Sequence, residues 1–255
     1  MDMHLNGLDD HFSLPRTRKV EAFRAFSWIA RGWQDLAAHP LPSLAHGLLI
    51  TLLGWGVLLL ASHYVHLFTT SITGFLLLAP LGAAGIYELT SEREEGRTTS
   101  FAQSIRDLMK NASQLAYFGV VLFMIAIAWE RLSAILFALF YGGEAITLHN
   151  FVGSLLGEYA GFTIAWVIGG FLLACLVFAL TAVSIPMLAD REVDTVTAMM
   201  TSLRVVAENL PAMIVWAALI VLLTVVGFAT YLVGFVLLFP LLGHATWIAY
   251  KDLVE

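Results

Sequence analysis

The chain has a single cysteine among its 255 residues. That excludes a disulfide framework and a paired-thiol metal site. Cys175 lies inside an apolar run and reads as a small buried hydrophobe. Charge is also scarce, at 13% of residues, and the formal net charge of −6 leaves no basic footprint for nucleic acid. A phosphate loop, a nucleophile elbow and a His-Glu-x-x-His pair are all missing. So is the Cys-x-x-Cys-His of haem attachment. These absences argue against an enzyme and give no cofactor or metal to expect. A cleavable signal peptide is not expected either. The first ~40 residues are largely polar, and the first apolar run reads as a retained signal-anchor.

What the chain has in abundance is apolar length. Hydrophobic residues make up 59%, and mean hydropathy is +0.83, well outside the range of soluble domains. Residues 48–60, 120–128 and 214–226 carry no charge at all. Several such runs reach the ~20 residues that cross a bilayer core, and their continuity excludes an alternating β-barrel pattern. Six spans are predicted, roughly at 44–62, 67–88, 115–136, 162–186, 211–230 and 232–249. Arg16, Arg18, Lys19, Arg24 and Arg31 precede the first. Arg93, Arg97, Arg106 and Lys110 follow the second, Arg191 and Arg204 the fourth, and Lys251 the sixth. Only Arg131 falls on the opposite side, so the positive-inside rule predicts that both termini are cytoplasmic.

One phrase occurs twice: Gly74-Phe75-Leu76-Leu77-Leu78-Ala79-Pro80-Leu81 and Gly234-Phe235-Val236-Leu237-Leu238-Phe239-Pro240-Leu241. A weaker relative ends in Ile185-Pro186-Met187. Each lies on the return leg of a predicted hairpin, the signature of a multiplied unit. Amphipathic segments precede the hairpins at 20–37, 98–111 and 194–209. Their stripes are Phe23, Phe26, Ala30 and Trp33; Phe101, Ile105 and Leu108; and Val196, Met199, Met200, Leu203 and Val206. Such segments suit helices lying in the headgroup region. Ser104-Ile105-Arg106 with Asn111, and Ser202-Leu203-Arg204 with Asn209, repeat one spacing, and the asparagines are placed to cap the helix that enters the membrane. Pro42 and Pro211 fit the same boundary. The expected fold is all-α and polytopic: six transmembrane helices in three hairpin units, each preceded by an interfacial helix. A polar tail at 1–19 leads into one membrane domain at 20–250, with units at roughly 20–90, 98–190 and 194–250. The middle unit is stretched by an outward segment near 137–161.

Three groups of residues are candidates for function. Pro80, Pro186 and Pro240 are expected to break helices, which would free carbonyls for a transporter site or more simply kink the spans for packing. Glu130, Arg131, Glu158, His46 and His244 are candidates for a polar pocket, because ionisable groups at membrane depth demand partners or water. His46 and His244 share the cytoplasmic third. His63, His66 and His149 belong to the outer face; His63-x-x-His66 puts two rings within a helical turn, as a haem or metal ligand pair would need, but interfacial or hydrogen-bonded histidine is the preferred reading. Gly153, Gly157 and Gly161 form two Gly-x-x-x-Gly steps that allow close helix approach, within the chain or to a partner. Glu88, Glu92, Glu94 and Glu95, with Arg93 and Arg97, read as a solvated cytoplasmic loop.

The duplicated Gly-Phe-x-Leu-Leu-x-Pro phrase, the surface helices and the six spans together resemble a family of predicted bacterial integral membrane proteins, the domain of unknown function 2189. The likeness runs from about residue 20 to 250 and implies no activity. Members associated with respiratory oxidase subunits imply a place beside such a complex. The expected protein is a multi-pass scaffold or accessory subunit of a membrane complex in the bacterial inner membrane, a respiratory complex among the candidates. Its partners would be the lipid bilayer and other membrane subunits. The alternative is a small transporter or lipid-handling protein with a pocket near the proline-broken helices. A wide wet cavity would favour the second reading and a dry interior the first.

Overall fold

The computed structural model describes residues 14–62, 74, 79–97, 100–110, 112–140, 157 and 159–255. Ten helices follow one another among them: α1 (Arg24–Ala38), α2 (Pro40–Ser62), α3 (Ala84–Glu94), α4 (Phe101–Lys110), α5 (Ala112–Phe140), α6 (Ala160–Thr181), α7 (Ser184–Asp190), α8 (Thr195–Glu208), α9 (Leu210–Ala229) and α10 (Phe235–Leu253). No strand occurs among the described residues; Thr17 and Val254 form an isolated antiparallel bridge.

Four stretches are long and apolar enough to cross a membrane: Pro40–Leu60, Ala112–Phe140, Ala160–Asp190 and Leu210–Ala229. They coincide with the first, third, fourth and fifth expected spans. Half of the second lies outside the described residues. The sixth corresponds to α10, which at 19 residues is long enough but is not apolar enough to qualify. The reason is physical. α10 is the centre of the bundle, enclosed by α1, α2, α3, α7 and α9, so it carries polar groups that neighbouring helices satisfy rather than a lipid-facing surface. Phe235, Phe239, His244, Trp247 and Tyr250 are all buried.

Small residues let the neighbours approach α10. A Cβ on Gly47 of α2 would lie 2.1 Å from the Val236 carbonyl oxygen, and one on Gly32 of α1 would lie 2.9 Å from Ala245 N. Val236 is four residues before Pro240, whose ring removes the N–H that would bond that carbonyl. α10 nevertheless runs unbroken through Pro240. The freed carbonyl is turned against Gly47, a close backbone approach of the C–H···O kind. Pro186 sits in the first turn of α7, where a missing N–H costs nothing. The break in that return leg comes earlier, at Ala182 and Val183. Pro80 lies in a helical stretch at 79–82 that turns at Ala83.

The turn from α9 to α10 is very tight. Tyr231 and Leu232 both adopt left-handed φ, 52° and 68°, a conformation that L side chains with a Cβ resist. It is held from both sides: Leu232 N–H bonds Gly227 O at 3.0 Å, and Trp55 Nε1 of α2 donates to Tyr231 O at 2.8 Å.

α5 and α6 pack as an antiparallel pair. Trp129 packs against Trp166 with centroids 5.6 Å apart and ring planes tilted by 45°, and positions Gly169 and Gly170 face the Trp129 ring. Trp166 Nε1 donates to Ser133 Oγ at 3.1 Å.

Candidate functional site

Pro40 opens α2 immediately after the corner at His39, and the first two turns of that helix carry Ser43 and His46. α10 brings His244, α3 brings Thr90 and α4 brings Ser104 to the same depth. All five are buried, at 0–3% exposed. His244 is bracketed by two hydroxyls: Nε2 lies 2.9 Å from Ser43 Oγ and Nδ1 lies 2.7 Å from Thr90 Oγ1. Thr90 also reaches the Ile86 carbonyl at 3.0 Å. The shortest consistent network has Nδ1–H donating to Thr90, whose hydroxyl donates to Ile86 O, while Ser43 donates to Nε2. This tautomer is assigned from the network. His46 Nε2 lies 2.9 Å from Ser104 Oγ, whose own hydrogen goes to Phe101 O at 2.9 Å. His46 Nε2–H is therefore the donor. Its ring lies over Gly85, where a Cβ would come within 2.5 Å of Cε1, and beside Phe101 at 4.6 Å between centroids.

The two histidines do not bond each other. They are joined through α2, since Ser43 holds His244 from one turn before His46. A cavity of about 10 Å³ adjoins the layer, lined by Asp35, His39, Pro42, Ser43, Leu89, Arg93 and His244. Arg93 is ion-paired with Asp35 of α1. A volume of that size is about one water molecule, too small for a solute. Among the described residues, no group of three or more His, Cys, Asp or Glu is arranged to hold a metal ion. Chemically the layer is a set of satisfied hydroxyl–imidazole bonds that fix four helices in register.

Two carboxylates organise the end of the molecule where residues 16–18 meet residues 253–255. Asp252 accepts from Arg24 at 2.9 Å, from Trp28 Nε1 at 2.8 Å and from Arg31. Burial alone would raise its carboxyl, but the bonds from Arg31, Arg24 and Trp28 outweigh it and hold the group below the usual range. Asp190 accepts from Tyr250 OH at 2.6 Å and Lys251 Nζ at 2.7 Å. Burial, and then its bond to Asp190, push the Tyr250 phenol up. An N-terminal strap closes the same face. Arg18 N bonds Leu253 O and Glu255 N bonds Arg16 O, both at 2.9 Å. Asn209 does not cap α9 with its side chain. Its Oδ1 accepts from Val20 N at 2.9 Å and its Nδ2 donates to Arg18 O at 3.0 Å, so the amide acts as a surrogate peptide for the strap. Asp194 caps α8 instead, accepting from Val196 N and Thr197 N.

The remaining candidates lie elsewhere. Glu130 and Arg131 pair with each other at 3.4 Å on α5, with 41% and 75% of their side chains exposed, apart from the buried histidines. Glu158, Gly153, Asn111, His63, His66 and His149 fall outside the described residues. Gly157 is exposed in a turn. A Cβ on Gly161 would meet the Phe140 ring at 3.1 Å, so that step of the glycine stripe is used inside the chain. Cys175 is exposed rather than buried, because α6 turns that position away from α5. Sequence reasoning missed Ser43, Thr90 and Asp252, since no motif marks a lone hydroxyl or carboxylate that serves a distant helix.

No curated protein and no solved structure matches this chain. Residues 67–190 match the model of one family, a shorter reach than the 20–250 over which the sequence phrases bear a likeness. The family that this stretch resembles is described as predicted integral membrane protein (DUF2189).

Proposed function

We propose that this integral membrane protein is a scaffold or accessory subunit of a membrane complex, a respiratory complex among the candidates, and has no catalytic role of its own. It would sit in the bacterial inner membrane with both termini in the cytoplasm. The observation that carries this reading is the interior at the histidine layer. A small-molecule transporter needs a polar cavity at membrane depth. Here His46 and His244 are each bonded by neighbouring hydroxyls, and the adjoining cavity holds about 10 Å³. The orientation is supported by the gathering of Arg18, Arg24, Arg31, Arg191 and Lys251 at the end where residues 16–18 meet residues 253–255.

Gentle detergent extraction from the native membrane, followed by mass spectrometry of intact assemblies, tests the reading. The expected result is this chain in fixed stoichiometry with at least one other membrane polypeptide. Recovery of the chain alone, with a reproducible small-molecule or single-lipid adduct, would instead favour the transporter or lipid-handling reading.

A further inference from the structure

The corner between α3 and α4 concentrates acid where water does not reach. Glu88 and Glu92 lie one turn apart on α3, and Asp107 faces them from α4. Their exposures are 9%, 1% and 7%, which overturns the expectation of a solvated loop for the two glutamates. Glu92 accepts the backbone N–H of Ser100 at the start of α4, a favourable place for a carboxylate. Among the described residues, however, its Oε2 is buried without a hydrogen-bond partner. The charges facing Glu92 are Asp107 from α4, with Glu95 and Arg97 from the connection. Arg97 is bonded to Glu95 at 2.9 Å, and the adjacent Arg93 is committed to Asp35. A buried acceptor with a like charge across from it is best satisfied by a proton.

We propose that Glu92 is a proton-holding group that sets how firmly α4 docks on α3, tightening the corner on acidification and loosening it as pH rises. A proton on Oε2 removes one negative charge from the cluster and turns an unmatched acceptor into a donor. The effect reaches beyond the corner, because Ser104, one turn into α4, is the residue that holds His46 of α2.

Burial, the largest influence, raises the Glu92 carboxyl above its ordinary value of 4.5; Asp107 adds to this, and the Ser100 N–H and Arg97 oppose it. A raised folded value means that the native state binds the proton more tightly than the unfolded chain. The stabilisation is complete below the unfolded value and lost as pH rises through the folded one.

Hydrogen exchange at the α4 amides of the full-length protein in detergent, from about pH 4.5 to about pH 8, tests this directly. After correction for intrinsic chemistry, protection should fall severalfold with rising pH. Glu92→Gln should hold the protected level throughout, while Glu94→Gln, at an exposed position outside the cluster, should behave as the parent. Should Glu92→Gln fail to fold, Asp107→Asn should move the midpoint to lower pH. A parent without pH dependence, a Glu92→Gln protein with the parent's dependence, or an unmoved midpoint in Asp107→Asn each overturns the proposal.

Discussion

Gly47 and Pro240 act together although they lie on different helices. The proline frees the Val236 carbonyl, and the glycine provides the only side-chain size that fits against it. Gly47→Ala would put a methyl 2.1 Å from that oxygen. Because the obstruction is backbone, the helices must separate. A loss of about 3 kcal/mol or more is expected, at the upper end of overpacking costs, read as a lowered thermal midpoint in detergent. Asp252 gives a second test. Its folded carboxyl lies below the unfolded value, so its contribution is complete above about pH 3.9 and lost as pH falls through the folded value. Asp252→Asn should cost about 1–3 kcal/mol near neutral pH, as expected for bonds to a charged group, and should flatten the acid limb of a stability–pH profile. At this scale the sequence was legible for histidines, whose depth follows from counting along a span. It was silent on Ser43, Thr90 and Gly47, because a hydroxyl or a missing Cβ acquires its meaning only from the helix it meets.

Among the elements, the surface helices carry their large apolar residues outward. α8 buries Thr201 and Ser202 while Val196 and Met200 are 59% and 48% exposed. α1 exposes Phe23, Phe26 and Trp33. In water that arrangement would be unfavourable, but at the headgroup boundary it is the expected one. The stripes themselves were readable from helical spacing. The second apolar face of α1, with Ala25, Trp28, Gly32 and Leu36 packed inward, was not, since a helix used on two sides blurs its own periodicity. The α5–α6 pair has its own test. With Cys175 replaced by alanine, Ser133→Cys and Trp166→Cys should cross-link within one chain through a short bifunctional thiol reagent that spans the room left by the indole, because the native side chains touch at 3.1 Å. Monomers that resist cross-linking in native membranes would contradict this packing.

For the molecule as a whole, the all-helical membrane architecture could be read from composition and run length, and four of the six expected spans recur as helices of spanning length and hydropathy. The role of α10 could not. Its sequence looks like one more span, yet it is the helix around which α1, α2, α3 and α9 assemble, and its polar residues are spent on Ser43, Thr90, Asp190 and the N-terminal arginines. The scaffold reading expects such a centre to hold its neighbours in place and to leave no room for a passing solute. Whether the histidine layer is dry decides between the scaffold and transporter readings. Thr90→Cys in a Cys175→Ala background places a thiol beside His244, at a position 1% exposed. In native membranes a small membrane-permeant thiol reagent should leave it unmodified until the protein is unfolded. Modification at the rate of an exposed thiol in the folded protein, slowed by a candidate solute, would contradict the account.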